Sequence, residues 1–139
     1  MRILALDVGD KTIGVAVSDL LMFTAQGVEV IRRTSLSRDL NRIKELAEEY
    51  AADTLVIGMP RNMNGTFGER GELTKRFADA VAKFLPGITI TFWDERLSTV
   101  AAEKHLIAAD VSRAKRKQVI DKMAAVFILQ GYLDSLARR

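Results

Sequence analysis

Residues 2–18 read RILALDVGDKTIGVAVS, and this stretch decides how the rest of the chain is arranged. It contains two apolar runs, 2–8 and 12–18, that are separated by the turn-forming tripeptide GDK at 9–11. Two such runs around a short glycine-containing turn predict a β-hairpin. A further run over Gly27–Arg32 predicts a third strand, which extends the hairpin into an antiparallel meander.

After the meander, the pattern changes to helices that alternate with short strands. Strands are predicted over Thr54–Ile57 and Ile88–Trp93. Helices are predicted over Leu36–Tyr50, Leu73–Phe84, a segment that ends at Ala109, and Lys115–Leu136. Ser35 or Ser37 would cap the first of these helices, and the third would begin at Ser98 or Thr99. This order predicts an α/β fold with a mixed five-stranded sheet, in which the antiparallel three-strand meander is joined by two parallel strands and helices cover both faces. We expect one domain over residues 1–139, because the length suits a single core and no linker-like segment interrupts it.

The composition excludes several kinds of site and location. The chain has no cysteine and one histidine, His105, so it can form neither a thiolate site nor a multi-histidine metal site. A bound metal would therefore need oxygen ligands, which favours magnesium, manganese or calcium. No apolar run approaches the roughly 20 residues of a membrane span, and the first run is too short for a signal peptide. We therefore expect a cytoplasmic protein with no membrane partner.

Three acidic positions are predicted to meet at one edge of the sheet. Asp7 ends the first strand, Glu95 follows the fifth, and Asp121 lies early in the last helix. The small pair at 124–125 would let that helix pack closely on the sheet and bring Asp121 to the edge where ligands of such sheets bind. Because crowded carboxylates repel one another unless a cation lies between them, the arrangement predicts a divalent-metal site suited to in-line displacement at phosphorus.

Each acid also has an ordinary explanation. An aspartate before a glycine, such as Asp7, is often a turn former, and Glu95 with Arg96 would make a surface ion pair. Asp121 with Lys117 would make a helix pair worth only about 0.3–0.5 kcal/mol. Their joint placement at one sheet edge favours the metal-binding interpretation.

Four segments of the chain resemble, in order, the motifs of a family of Holliday-junction resolvases that are also described as pre-16S ribosomal RNA nucleases. The segments are DVGDKTIGVA at Asp7–Ala16, GMPRNMNG at Gly58–Gly65, DERLST at Asp94–Thr99, and Lys117–Leu129, which contains DKMAA. The resemblance spans nearly the whole chain. It implies a ribonuclease H-like fold, and it implies that Asp7, Glu95 and Asp121 are the catalytic acids that bind Mg²⁺ or Mn²⁺. Either Asp10 or Asp94, or else water, would take the place of the fourth acid that such nucleases carry.

The remaining candidate residues are polar or basic and would bind nucleic acid. They are Lys11, Asn62, Asn64, Arg96, Arg113, Lys115, Arg116 and Lys117. The last four concentrate the net charge of +3 just before Asp121, which favours a polyanionic partner, although a solvated helix start would look the same. Asn62 and Asn64 would contact the substrate or simply form the turn. Thr12 replaces the arginine that the family usually carries, so Lys11 is the candidate for that phosphate contact.

The resemblance implies a metal-dependent nuclease that processes the 5′ end of precursor 16S ribosomal RNA. The first alternative is a Holliday-junction DNA resolvase, which would act as a homodimer because it cuts two strands symmetrically. The second, from another class, is a non-catalytic nucleic-acid-binding factor of ribosome assembly. Actin-like ATPases and sugar kinases open with a similar Asp-x-Gly hairpin, but 139 residues leave no room for their second lobe. The expected partner is thus a structured RNA precursor or a branched DNA.

Overall fold

The computed structural model describes residues 2–60, 68–95 and 113–137, with only the backbone described at 113–122. The elements within these ranges are β1 (Arg2–Val8), β2 (Thr12–Ser18), β3 (Ala25–Arg32), α1 (Leu36–Glu49), β4 (Ala52–Met59), α2 (Glu69–Phe84), β5 (Thr89–Asp94) and α3 (Arg113–Ala137). The helix predicted at 98–109 lies outside the described residues.

The strands form one sheet in the order β3-β2-β1-β4-β5. β1 pairs with β2, and β2 with β3, in antiparallel orientation, whereas β1 pairs with β4, and β4 with β5, in parallel orientation. The predicted mixed sheet is therefore confirmed. β4 is longer than its apolar run, because Ala52 still pairs with Arg2 and Met59 with Asp94. Pairing with neighbouring strands thus extends β4 beyond the residues that are apolar in sequence.

The strands β1, β2 and β4 bury both of their faces over most of their length. Leu4 and Leu6 of β1 belong to the cluster that α1 and α2 cover, whereas Ile3 and Ala5 belong to the cluster that α3 covers. Successive side chains of a strand point to opposite faces, so this alternation separates two cores. Of the two candidate caps of α1, Ser35 is used, since its hydroxyl accepts a hydrogen bond from the Arg38 amide at 3.2 Å.

The second half of α3 lies flat against the sheet. Ala124 and Ala125 are both completely buried, as are Ile128 and Leu129, and their spacing of one helical turn defines the buried face. Gln130 holds the helix to the far edge of the meander, because its side chain accepts from the Ala25 amide and donates to the Phe23 carbonyl, both at 3.0 Å. The predicted close packing of this helix on the sheet is confirmed.

In the part of the chain that the structure describes, no helix has the length and apolarity that crossing a membrane would require.

Candidate functional site

The carboxyl ends of the two central strands lie side by side. Leu6 of β1 pairs with Ile57 of β4, and because the strands run parallel, the next residues, Asp7 and Gly58, are also neighbours. Gly58 in turn pairs with Trp93 of β5. One row of neighbouring residues therefore runs across three strands, with the predicted acid at one end and glycine in its middle.

This row faces α3. Ala5, Val56 and Trp93 all belong to the cluster that α3 covers. Because side chains two positions apart in a strand share a face, Asp7 lies on the same side as Ala5, and Gly58 on the same side as Val56. The site therefore lies at the end of the sheet, on the face that packs against α3.

The Glu95 side chain extends from the end of β5 over β4. A Cβ atom added to Gly58 would lie 2.9 Å from Oε1 of Glu95 and 3.2 Å from Cγ1 of Ile128. The space above Gly58 is thus shared by the Glu95 carboxylate and a side chain of α3, and no side chain at position 58 fits beside them. Strands are spaced about 5 Å apart, so this carboxylate lies about one strand spacing from β1, which carries Asp7.

Trp93 forms the wall of the site on β5. Its ring packs edge-on against Tyr132 of α3, with ring centroids 6.1 Å apart and an interplanar angle of 85°. A Cβ on Gly131 would lie 3.2 Å from the indole nitrogen, so glycine permits this close approach. Phe92, by contrast, is 44% exposed. Of these two aromatic residues, Trp93 is therefore the one that packs into the core.

The candidates for a fourth acid lie elsewhere. Asp10 is bound by Arg70, which also donates to the Val8 carbonyl, so its carboxylate is held at the outside of the hairpin turn. Alternation along β5 places Asp94 on the opposite face from Trp93. Neither residue is therefore positioned on the face that Asp7 and Gly58 share.

The structure describes only part of the predicted site. Asp7 lies at the end of β1 next to Gly58, and the Glu95 carboxylate lies over Gly58. Lys11 is exposed in the hairpin turn. Asp121 lies within α3, where the backbone is described but the side chain is not; the same holds for Arg113, Lys115, Arg116 and Lys117. Asn62, Asn64, Arg96 and His105 lie outside the described residues.

Three features of the site were not predicted from the sequence. Gly58 was noticed only as part of a motif, although its missing side chain makes room for the Glu95 carboxylate. Arg33 and Arg70, which bind the backbone directly after Asp7, were not noticed at all. A glycine directly after a buried apolar strand was the one available signal, because it indicates a close approach. No local signal links either arginine to a turn tens of residues earlier.

The donor chemistry suits a hard cation. The side chains that come together are carboxylates, with no thiolate available anywhere in the chain. Among the side chains that the structure describes, no group of three His, Cys, Asp or Glu residues could hold a metal ion. A metal ion bound by Asp7 and Glu95 would therefore need at least one further ligand, and the Glu95 carboxylate occupies the space that a Cβ on Gly58 would fill. The described residues fit such an ion.

Comparisons with known proteins identify similar chains along the whole length. The family model described as "RuvX: Holliday junction resolvase" matches residues 1–135. Two relatives, from Desulforamulus reducens and Heliobacterium modesticaldum, are each 60% identical to this chain and carry the name "Putative pre-16S rRNA nuclease". The matches cover 99% of this chain in both cases, and 100% and 91% of the respective relatives.

Solved structures with low sequence identity have the same fold. RuvC of Thermus thermophilus, in complex with a Holliday junction substrate, matches with a TM-score of 0.62 at 14% identity, over 97% of this chain and 96% of that one. The Fowlpox virus resolvase, in complex with Holliday junction DNA, matches with a TM-score of 0.56 at 13% identity, over 98% and 99%. These matches confirm the ribonuclease H-like fold that the sequence motifs implied.

Proposed function

Because this chain belongs to the RuvX family, we propose that it is a nuclease that hydrolyses nucleic-acid phosphodiester bonds with divalent metal ions bound by Asp7, Glu95 and Asp121. The observation that supports this most directly is the position of the Glu95 carboxylate, which lies over Gly58 beside the strand that carries Asp7. Two acids from distant parts of the sequence are thus held at one edge of a rigid sheet.

The third acid would come from α3. Asp121 precedes Ala124 and Ala125 by three and four residues, so its position lies on the helix face that packs against the sheet. It is also two turns before Ile128, whose side chain contacts the space above Gly58. The same close packing that buries the two alanines would therefore direct position 121 towards the edge that carries Asp7 and Glu95. Water would complete the ligand set, since neither Asp10 nor Asp94 lies on this face.

Bound Mg²⁺ or Mn²⁺ would polarise the scissile phosphate and supply a nucleophilic water at neutral pH. The task of the protein is to hold the carboxylates close together in spite of their mutual repulsion. Asp7 lies on β1, which is paired on both sides, and the Glu95 carboxylate shares the space above Gly58 with the Ile128 side chain. Strand pairing and the packing of α3 would preorganise both acids before substrate arrives.

Basic residues would bind the substrate backbone. Arg113, Lys115, Arg116 and Lys117 occupy the first turns of α3, directly before Asp121, and Lys11 is exposed in the turn after Asp7. Lysine and arginine in such positions bind phosphates without reading the sequence. We assign Arg96, Asn62 and Asn64 to further contacts with the substrate, because they directly follow the strands β5 and β4 that end at this site.

For the substrate, we propose the 5′ end of precursor 16S ribosomal RNA. The support is the name of the two relatives that share 60% of their residues with this chain over nearly its whole length. The protein would then act as one domain in the cytoplasm, where ribosomal RNA is processed. The description of the family model favours a second candidate, a Holliday junction, and this reading requires a homodimer that brings two sites to two strands.

The test compares two substrates of similar size, a structured precursor RNA that spans the 5′ end of 16S and a four-way DNA junction. Each is incubated with the purified protein in Mg²⁺, in Mn²⁺ and in EDTA. We expect specific, metal-dependent cleavage of the RNA. Paired, symmetric cuts in the junction would favour the resolvase instead. Binding without cleavage of either substrate, unaffected by EDTA, would identify the non-catalytic factor and contradict the proposal.

A further inference from the structure

Two arginines bind the backbone immediately after Asp7. The carbonyl of Val8 accepts a hydrogen bond from Nη2 of Arg70, and the carbonyl of Gly9 accepts one from Nη1 of Arg33, both at 2.9 Å. Two consecutive peptide groups that follow the predicted metal ligand are therefore each fixed by a guanidinium. Neither contact is part of the sheet, whose ladder between β1 and β2 ends at Val8.

Each arginine is in turn held by a carboxylate. Nε of Arg33 donates to Oδ2 of Asp39 at 3.1 Å, and the other oxygen of Asp39 accepts from the Thr34 amide at 3.3 Å. Nη1 of Arg70 donates to Oδ1 of Asp10, in the same turn. A guanidinium that forms two such contacts has little freedom, because its donors lie in one rigid plane. The carbonyls are thus bound by groups that are themselves fixed.

The arginines reach the turn from the side opposite to the proposed site. Arg33 follows β3 and lies 5.1 Å from the ring centroid of Phe77, which belongs to the cluster that α1 and α2 cover. Arg70 lies in the first turn of α2. Both line a cavity of about 330 Å³ on this side of the hairpin turn. A substrate on the α3 face would be separated from both side chains by the backbone of the turn, so any effect on the reaction must pass through that backbone.

We propose that Arg33 and Arg70 are positioning residues of the nuclease site, which fix the Val8–Gly9 backbone and thereby the direction in which the Asp7 carboxylate points. We call this pair the arginine clamp. The inference rests on the proposed function, since it assumes that Asp7 binds the metal. Asp7 is the last residue of β1 but one, and the pairing of β1 with β2 ends at Val8, so the arginine clamp fixes the backbone where this ladder stops and the glycine-containing turn begins. Groups that orient a metal ligand typically change affinity or activity about 10- to 100-fold when removed.

The two members of the arginine clamp differ in what else they do. Asp39 is only 2% exposed, so removal of Arg33 would leave a buried carboxylate without its partner and would disturb folding. The side chains of Arg70 and Asp10 are 42% and 76% exposed, and exposed ion pairs contribute little to stability. Arg70 is therefore the position at which positioning can be separated from folding.

The experiment compares Arg70→Ala with Arg76→Ala, which removes an exposed arginine later in the same helix. For each variant, Mn²⁺ affinity is measured by titration calorimetry, cleavage by single-turnover rates over a range of substrate concentrations, and stability by thermal unfolding in EDTA. We expect Arg70→Ala to weaken Mn²⁺ binding and slow the chemical step about 10- to 100-fold. Substrate affinity and the unfolding midpoint should match those of Arg76→Ala. Arg70→Lys, which keeps the charge but offers no planar pair of donors, should recover part of the loss.

Wild-type Mn²⁺ affinity and rate in Arg70→Ala would overturn the inference. So would a loss that is accompanied by a lower unfolding midpoint in EDTA than that of Arg76→Ala, because the defect would then be one of folding. If the proposed function itself is wrong, the wild-type chain will neither bind Mn²⁺ nor cut either substrate. The arginine clamp would then have no nuclease site to position.

Discussion

The strands contribute side chains of different sizes to the two faces of the sheet. On the face that α1 and α2 cover, the strands contribute mainly large aliphatic side chains, among them Leu4, Leu6, Ile13, Leu55 and Ile57. On the face that α3 covers, several buried positions are small: Ala5, Ala16 and Val56 from the strands, Ala124 and Ala125 from the helix, and Gly58 at the site. Ile3, Ile128, Leu129 and Leu133 are the large aliphatic residues there. Small residues on both surfaces allow the helix and the sheet to approach closely. Under the proposed function, the distance between α3 and the sheet sets the position of a metal ligand.

This difference predicts how the two faces respond to mutation. On the α1 and α2 face, a change of volume alters stability, because interiors are close-packed, and these helices reach the proposed site only through the arginine clamp. On the α3 face, added volume displaces a helix that carries a proposed metal ligand. Added or removed methyl groups should thus affect stability on both faces, but catalysis mainly on the α3 face.

The largest effect is expected at the site itself, for Asp7→Asn. The amide keeps the shape of the side chain but removes the charge that would bind the cation, so cleavage should fall below detection in Mg²⁺ or Mn²⁺. Without metal, the variant should be at least as stable as the wild type, because one source of repulsion between the acids is gone. Cleavage assays and thermal unfolding in EDTA measure the two effects. A wild-type cleavage rate would show that the proposed active site is wrong.

Gly58→Ala should have the next largest effect. The new Cβ would lie 2.9 Å from Oε1 of Glu95 and would overlap the end of the Ile128 side chain, so the carboxylate and the end of Ile128 must both shift. Overpacking of this kind costs about 1–3 kcal/mol of stability. A displacement of a catalytic group near 1 Å can slow a reaction about 100-fold. Denaturant unfolding and single-turnover rates measure the two effects.

A second substitution separates the two movements. Ile128→Val removes the terminal methyl that overlaps the new Cβ, so Gly58→Ala combined with Ile128→Val should regain stability. It should not regain rate, because the alanine methyl still lies against the Glu95 carboxylate. If the double variant cleaves at the wild-type rate, the overlap with Ile128 alone explains the slower cleavage of Gly58→Ala. The role given to the contact between Gly58 and Glu95 is then wrong.

The sequence predicted the mixed sheet and its elements along the chain because these depend on local patterns. The hairpin at residues 2–18 is determined by two apolar runs and a turn, and the two parallel strands follow from apolar runs with glycine or proline at one end. The ends of β4 were predicted less well, because pairing with β1 and β5 determines them. The choice of Ser35 over Ser37 as the cap was also left open, since both precede the same helical pattern.

The acids at the strand ends could be predicted, whereas the groups that hold them could not. Asp7 and Glu95 are recognisable because each closely follows an apolar run, at the edge where ligands of such sheets bind. Arg70 lies 62 positions after Val8 and 60 after Asp10, and its contacts exist only once α2 packs beside the hairpin turn. Gly58 gives only part of the answer, because a glycine after an apolar run indicates a close approach but does not show which side chains lie above it.

Enlargement of the helix surface should have a smaller effect than the change at Gly58, because it acts on Asp121 only through the helix. Ala124 and Ala125 are both completely buried, so Ala124→Leu and Ala125→Leu should each push α3 outward and cost about 1–3 kcal/mol. We expect folded proteins with weaker Mn²⁺ binding and slower cleavage, measured by circular dichroism, titration calorimetry and activity. If neither variant changes Mn²⁺ affinity or rate, Asp121 does not depend on this close packing.

The smallest effect is expected on the other face, for Ile57→Val. Ile57 is the neighbour of Gly58 in β4, but it is completely buried in the cluster that α1 and α2 cover. Removal of one buried methyl group typically costs about 0.5–1.5 kcal/mol, which a denaturant titration resolves. Because α1 and α2 carry none of the three proposed metal ligands, and loss of one methyl group leaves the hydrogen bonds of the arginine clamp in place, Mn²⁺ affinity and cleavage rate should stay at wild-type values. Two substitutions at adjacent positions of one strand would then differ mainly in the face that they alter. If Ile57→Val slowed cleavage as much as Gly58→Ala, volume on either face would control the site, and the contrast between the two faces would fail.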